Sequence, residues 1–430
     1  MNLRSFLNLN DSTENKKITQ FLRQLTLFSG GNSLAQLVMM IYAILVARAL
    51  GNVGLGVYSG IYAFLGVTIT LVNFGMDTWM LKVSDVERPT NLLTGKVISS
   101  KLFAGLLWLL LCNLLLPFLN KKEFLTIYVL LASLDVLTDV TFNTLLAHFN
   151  IVKDIHRHNA FLLASRIGKL VALISLIYFD KGTILNIVLS RLIVSLLVFG
   201  ISFYIAKPKL PNAAFAEQLD NLSFLRNASV AFGLSEILAM IYANADVAIL
   251  SLFSTSQAGL YSPASGIIHA LFILPNSFHN YLLPMITKRE QATDDNSKKV
   301  DASRIMFLFS VLGILLTLFV ILLSMYLLVP LLGKSYLMSK QLLLILSPIM
   351  LLKSISFGLA TLLVARSLQS KRLIPQGIVA VFDVLLVVLL IPRFGATGVA
   401  WAYLFAELIL SIGYWIILLK SKTKVMNASM

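Results

Sequence analysis

Apolar runs of about 20 residues, each long enough to cross roughly 30 Å of hydrocarbon as a helix, follow one another along nearly the whole chain. They do not alternate with a period of two, so the strands of a membrane barrel are excluded. Polar breaks divide them near 25–49, 56–77, 95–119, 124–147, 158–179, 183–206, 224–253, 257–286, 304–329, 338–365, 373–391 and 397–419. The expectation is an all-α polytopic membrane protein of twelve transmembrane helices. A composition of 58% hydrophobic and 13% charged residues, far from that of a soluble domain, agrees. The opening MNLRSFLNLNDSTENKKITQ is polar for too long to be a cleaved secretory signal and is expected to be a tail. Several runs exceed the bilayer thickness, and Pro263, Pro275 and Pro284 mark kinks in the eighth.

Twelve spans place both tails and every second loop on one side. The opposite side holds only Arg48, Lys121, Lys122, Lys181, Lys334, Lys340 and Arg393, whereas the remaining loop and tail cations gather with the tails. By the positive-inside rule both termini are expected in the cytoplasm. The net charge of +15 is therefore a topology signal spread over short loops, and nucleic acid is not an expected partner. The longest loop, near 287–303, reads as a solvated linker.

A second constraint is a repeat. Gly56-Val57-Tyr58-Ser59 follows the first span as Gly259-Leu260-Tyr261-Ser262 follows the seventh. Six helices separate the two turns, so a duplicated six-helix lobe keeps its orientation and the copies are related by an axis along the membrane normal. The expected organisation is a tail (1–24), a first lobe (25–206), a linker (207–223), a second lobe (224–419) and a tail (420–430). Two parallel lobes around a central cavity are a layout for alternating access, which makes transport the leading class. The turns containing Gly51, Gly56 and Gly259 are candidate gates, with tight turning alone as the other reading.

Enzymatic motifs are missing: there is no GxxxxGK[ST], GxSxG or HExxH pattern. Cys112 is the single cysteine, which excludes an internal disulfide. His148, His156 and His158 lack metal-ligand spacing and read as part of a solvated basic loop. No metal, no cofactor and no catalytic residue are expected.

The segments LVARALGNVGLGVYSGIYAF, ADVAILSLFSTSQAGLYSPASGI and PRFGATGVAWA resemble the polysaccharide-transporter branch of the MATE-like (multidrug/oligosaccharidyl-lipid/polysaccharide) exporter superfamily, whose members include Wzx-type O-antigen flippases. The resemblance implies a MATE-like fold and a flippase in the bacterial inner membrane. Its partner would be an undecaprenyl-diphosphate-linked oligosaccharide, a lipopolysaccharide or other surface-polysaccharide repeat unit, carried to the outer leaflet, with membrane lipid and polysaccharide polymerase machinery beside it. Two departures favour this branch. Residues 25–49 hold no Asp or Glu where multidrug members carry a carboxylate, and the chain lacks the two extra spans of lipid II flippases. The alternatives are a cation-coupled multidrug exporter of the same fold, which needs an acidic cavity, and a membrane-embedded polymerase or ligase, which needs a large outside loop.

Charges at bilayer depth cost roughly 2.5–3.5 kcal/mol on insertion scales, so each needs a reason. Lys353, Arg166, Lys169 and Arg191 are candidates for a cationic cavity that receives the diphosphate. For Arg166, Lys169 and Arg191, pairing with carboxylates stands equally open. Lys101 reads as snorkelling to the tail side. Asp135, Asp139, Asp246, Asp383 and Glu407 are candidates for ion coupling or for such pairing, Asp135 and Asp139 with Arg166 and Lys169 across spans 4 and 5.

Overall fold

The computed structural model describes residues 12–83, 90–119, 126–210, 215–291, 302–366 and 368–428. Among them the chain is helical: α1 (Ser12–Thr68), α2 (Thr70–Asn73), α3 (Met76–Val83), α4 (Thr90–Leu119), α5 (Thr126–Ile151), α6 (Ile155–Tyr178), α7 (Ile184–Ala206), α8 (Phe215–Phe253), α9 (Thr255–Leu271), α10 (Ile273–Gln291), α11 (Ala302–Leu322), α12 (Leu328–Leu332), α13 (Leu337–Leu346), α14 (Ile349–Ala365) and α15 (Gln369–Ala428). Nine helices among the described residues are long and apolar enough to cross a membrane, and the bent pair formed by α13 and α14 makes a tenth. Two of these, Gly30–Asn73 with 44 residues and Gln369–Lys420 with 52, are longer than one crossing requires. Each is interrupted by a glycine with non-helical backbone, Gly51 at φ 64° and Gly395 at φ 53°, values that side-chain-bearing residues rarely adopt. Counting each as two crossings is compatible with the expected twelve among the described residues.

The breaks have local causes. Ser254, Thr183 and Asp154 accept hydrogen bonds from backbone N–H groups three residues on and so start α9, α7 and α6. In the eighth run the helix breaks at Phe272, not at Pro263, which stays inside α9. Pro275 has no N–H to offer the carbonyl of Leu271 four residues back, which ends the ladder there. Helix also extends beyond the expected spans, beginning at Ser12 and Phe215 and running to Ala428. Hydropathy registers the membrane-embedded part of a helix, whereas Glu, Gln and Lys carry it into water at little cost. Part of the expected solvated linker near 287–303 lies outside the described residues.

In the first half of the chain α5 packs along α7 and α1 along α6, and in the second half α14 packs along both α11 and α15. Across the halves, α9 lies along α1 more extensively than any other pair. A core cluster shared by both halves, including Tyr42, Ile61, Leu250, Tyr261 and Tyr403, joins them, and a second cluster around Phe309, Leu362 and Leu410 belongs to the second half alone.

Candidate functional site

Between the halves lies a cavity of about 350 Å³. Its walls come mainly from α1 and α9 and are apolar over Met39, Met40, Ile44 and Ile267. Its polar lining includes Tyr42, Tyr58, Ser59 and Arg191 from the first half and Ser262 and His269 from the second. Of the four expected cavity cations, Arg191 alone is in the lining, and among the described residues no carboxylate is.

Arg191 is held by a buried cluster. Its Nε donates to Asp135 Oδ2 at 2.9 Å and its Nη1 donates to Tyr58 Oη at 2.7 Å. Its guanidinium lies over the Tyr62 ring at 4.3 Å, and the Tyr62 hydroxyl donates to the same Asp135 oxygen at 2.9 Å. Ser195, one helical turn after Arg191, donates to Asp135 Oδ1 at 2.6 Å. Lys169 donates to both oxygens of Asp139 at 2.9 Å and stands 3.7 Å from Asp135 Oδ1. Arg166 lies one turn before Lys169, within electrostatic reach of Asp139. The pairing expected across spans 4 and 5 is thus joined by a cation from span 6.

The second half carries a counterpart. Lys353 Nζ is 3.0 Å from Glu407 Oε2, which also accepts the Tyr242 hydroxyl; Ser356 Oγ donates to Oε1 at 2.6 Å. Lys353 lies over the Tyr242 ring at 4.5 Å. It is outside the cavity lining, yet within electrostatic reach of His269, whose ring faces Tyr403 with Nε2 3.4 Å from the hydroxyl. Asp246 accepts from the Tyr261 hydroxyl and from the Val247 backbone, both at 2.6 Å. Asp383 is 1% exposed, and its Oδ1 has no hydrogen-bond partner among the described residues.

Two further readings are corrected. Lys101 does not snorkel: it is fully buried, 2.7 Å from Asp77 Oδ2 and 2.8 Å from Thr144. Burial without solvent favours a partner over exposure of the ammonium, and Asp77 supplies it. His148 and His158 are not in a solvated loop: they are buried in α5 and α6, where His148 meets Thr94 at 2.9 Å and His158 meets the Leu146 carbonyl at 3.1 Å.

The halves touch on both sides of the cavity. At the Gly51 end the contact is reciprocal: a Cβ on Gly56 would overlap the Thr255 carbonyl oxygen, and one on Gly259 would overlap that of Asn52. Only glycine admits such an approach. Ser262 donates to Ser59 at 2.6 Å three residues further along each helix, Asn52 Nδ2 is 3.4 Å from Ser256 Oγ, and Arg48 donates to the Pro330 carbonyl at 2.6 Å. About 20 residues away along the helix, roughly 30 Å of rise, Asn73 Nδ2 donates to Glu236 at 2.5 Å and Arg226 to the Leu71 carbonyl at 2.8 Å. Phe74, in the left-handed region at φ 42°, is covered there by Arg226 at 5.3 Å and by Gly233.

Tyr58, Tyr62, Tyr242, Ser195, Ser356 and His269 were not legible as site residues. The available signal was spacing: Tyr58 and Tyr62, like Arg191 and Ser195, are four apart and share a helix face.

A family profile described as "Polysaccharide biosynthesis protein" matches residues 21–290. No curated protein matches the chain. Among solved structures, the lipid II flippase MurJ in an inward-closed conformation is similar at a TM-score of 0.69 and 15% identity, over 91% of this chain and 87% of that one. The MATE multidrug transporter DinF-BH is similar at 0.64 and 14%, over 93% and 95%. An inward-facing multidrug-resistance MATE family transporter of the MOP superfamily is similar at 0.64 and 12%, over 93% and 100%. At these identities the likeness is one of fold.

Proposed function

Because the chain belongs to the polysaccharide biosynthesis protein family, we propose that it is a flippase that moves an undecaprenyl-diphosphate-linked oligosaccharide, an O-antigen or other surface-polysaccharide unit, from the cytoplasmic to the outer leaflet of a bacterial inner membrane. The observation that carries this reading is the cavity between the halves, whose one lining charge among the described residues is the guanidinium of Arg191. A diphosphate entering hydrocarbon needs charge-assisted donors, and arginine offers a planar fork that matches phosphate oxygens. Arg191 uses Nε and Nη1 in the resting cluster, which leaves N–H groups for a ligand. Lys353, Arg166 and Lys169 act behind it as the surrounding positive potential. Both termini and the linker near 207–223 are cytoplasmic, and the Gly51, Gly56 and Gly259 contacts form the outer gate. Asp135, Asp139, Asp246, Asp383 and Glu407 remain candidates for ion coupling, Asp383 by its unpartnered oxygen.

The drug-exporter alternative needs an acidic cavity, and among the described residues the lining contains no carboxylate. The reading is of a transporter without catalysis; polymerase machinery is a partner outside the chain.

The test is flipping by the purified protein in liposomes of a fluorescent undecaprenyl-diphosphate-linked disaccharide, read by an impermeant quencher. The wild type is expected to exceed protein-free liposomes, with Arg191→Gln at least about tenfold slower and Arg191→Lys partly active. Wild-type vesicles that flip no faster than protein-free ones, while transporting a lipophilic cation, would instead establish the exporter.

A further inference from the structure

We propose that Lys169 is the positioning residue that lets Arg191 exchange Asp135 for a substrate phosphate. The inference rests on the anion-anchor reading of Arg191 and adds the part that makes the anchor releasable. An arginine that turns into the cavity to engage a diphosphate fully leaves its buried carboxylate behind, which is tolerated only if that carboxylate keeps compensation.

Asp135 has that compensation. With Arg191 turned into the cavity, Asp135 still accepts from Tyr62 at 2.9 Å and from Ser195 at 2.6 Å, and Lys169 already stands 3.7 Å from its Oδ1. Lys169 needs only to lean from Asp139, at 2.9 Å, towards Asp135. Asp139 in turn is not abandoned, because Arg166 reaches it electrostatically. Both carboxylates thus keep a cation throughout the exchange. Lys169 itself is fully buried and absent from the cavity lining, so its part is played through Arg191 and not on the ligand.

The experiment measures binding of farnesyl diphosphate, the probe for a polyprenyl diphosphate, to purified full-length protein in nanodiscs. Lys169→Met is expected to bind about tenfold more weakly, since Arg191 becomes the sole cation within reach of Asp135. Lys169→Arg is expected to restore binding. Two double variants separate this role from structural charge balance, because each removes one cation and one carboxylate. Lys169→Met with Asp135→Asn releases Arg191 from its hydrogen-bonded carboxylate, leaving only the 4.0 Å approach of its Nη2 to Asp139, and is expected to bind within about threefold of wild type; Lys169→Met with Asp139→Asn leaves Arg191 pinned and is expected to stay weak. Equal affinities of the two doubles would overturn the proposal, whether or not the single variant folds, and so would wild-type affinity in Lys169→Met. Unchanged binding by Arg191→Gln would overturn the anchor reading together with this one; loss in Arg191→Gln with equal doubles would overturn the Lys169 role alone.

Discussion

The Arg191 and Lys353 clusters are built on one plan with the charges exchanged. In the first half the acid, Asp135, is on α5 and the base, Arg191, on α7; in the second the base, Lys353, is on α14 and the acid, Glu407, on α15. In each, a tyrosine hydroxyl donates to the acid while its ring lies under the base, and a serine occupies the other carboxylate oxygen. The difference lies in the supply of cations. Asp135 has Lys169 in reserve, whereas Glu407 has Lys353 as its one ion-pair partner among the described residues. A cation with a substitute can leave its partner, and one without cannot. Arg191 also lines the cavity, whereas Lys353 is outside its lining and lies over the Tyr242 and Phe272 rings at 4.5 and 5.2 Å. On the proposed reading, the first half therefore holds the working pair and the second the fixed one.

This contrast gives an order of effects. The largest is expected for Lys353→Met, which strands buried Glu407 and costs about 3–5 kcal/mol. Thermal unfolding of the detergent-solubilised protein would show it, and Glu407→Gln added to Lys353→Met should recover most of the loss. Recovery failing would mean that the lysine contributes more than compensation. Next comes Gly56→Ala, whose methyl group meets the Thr255 carbonyl and is expected to cost about 1–3 kcal/mol through displacement of the turn; an unchanged melting temperature would show that the halves are not held together there. Arg191→Gln is expected to cost about 1 kcal/mol, less than Lys353→Met, because Lys169 remains near Asp135. A stability loss equal to that of Lys353→Met would break the comparison. The smallest is Ser59→Ala, about 1 kcal/mol or less for one inter-half hydroxyl contact. Asn52→Cys with Ser256→Cys, in a Cys112→Ser background, adds a functional reading of that same end: a disulfide is expected to form and to stop flipping until reduced. Flipping that continues through the cross-link would remove these turns from the gate.

The sequence made the membrane class and the two glycine turns legible because both are written in short-range patterns. Hydropathy marks a helix that lipid surrounds, and the spacing of Gly56 and Gly259 in matching tetrapeptides marks backbone that must approach closely. Their mutual contact, Gly56 on Thr255 and Gly259 on Asn52, is reciprocal, as a repeat around an axis between the halves requires. The pairing of charges was less accessible. Lys101 and Asp77 lie on different helices, α4 and α3, and their meeting depends on the irregular backbone at Phe74 and Gly75, which no periodicity announces. Arg191 stood out as an intramembrane cation, but its choice of Asp135 over solvent, and its position beside the cavity, depend on how α7 packs against α5 and α1. Asp383 shows the limit in the opposite direction: a conspicuous carboxylate in an apolar run whose Oδ1 the structure leaves without a donor.

Flipping of undecaprenyl-diphosphate-linked disaccharide in liposomes, compared between Arg191→Gln and the charge-neutral double Lys353→Met with Glu407→Gln, tests the division between working and fixed pairs most directly. The account predicts that Arg191→Gln falls at least about tenfold while the double, which leaves the cavity lining untouched, keeps most of the wild-type rate. A double variant that folds and yet stops flipping, beside an Arg191→Gln protein that flips normally, would contradict it.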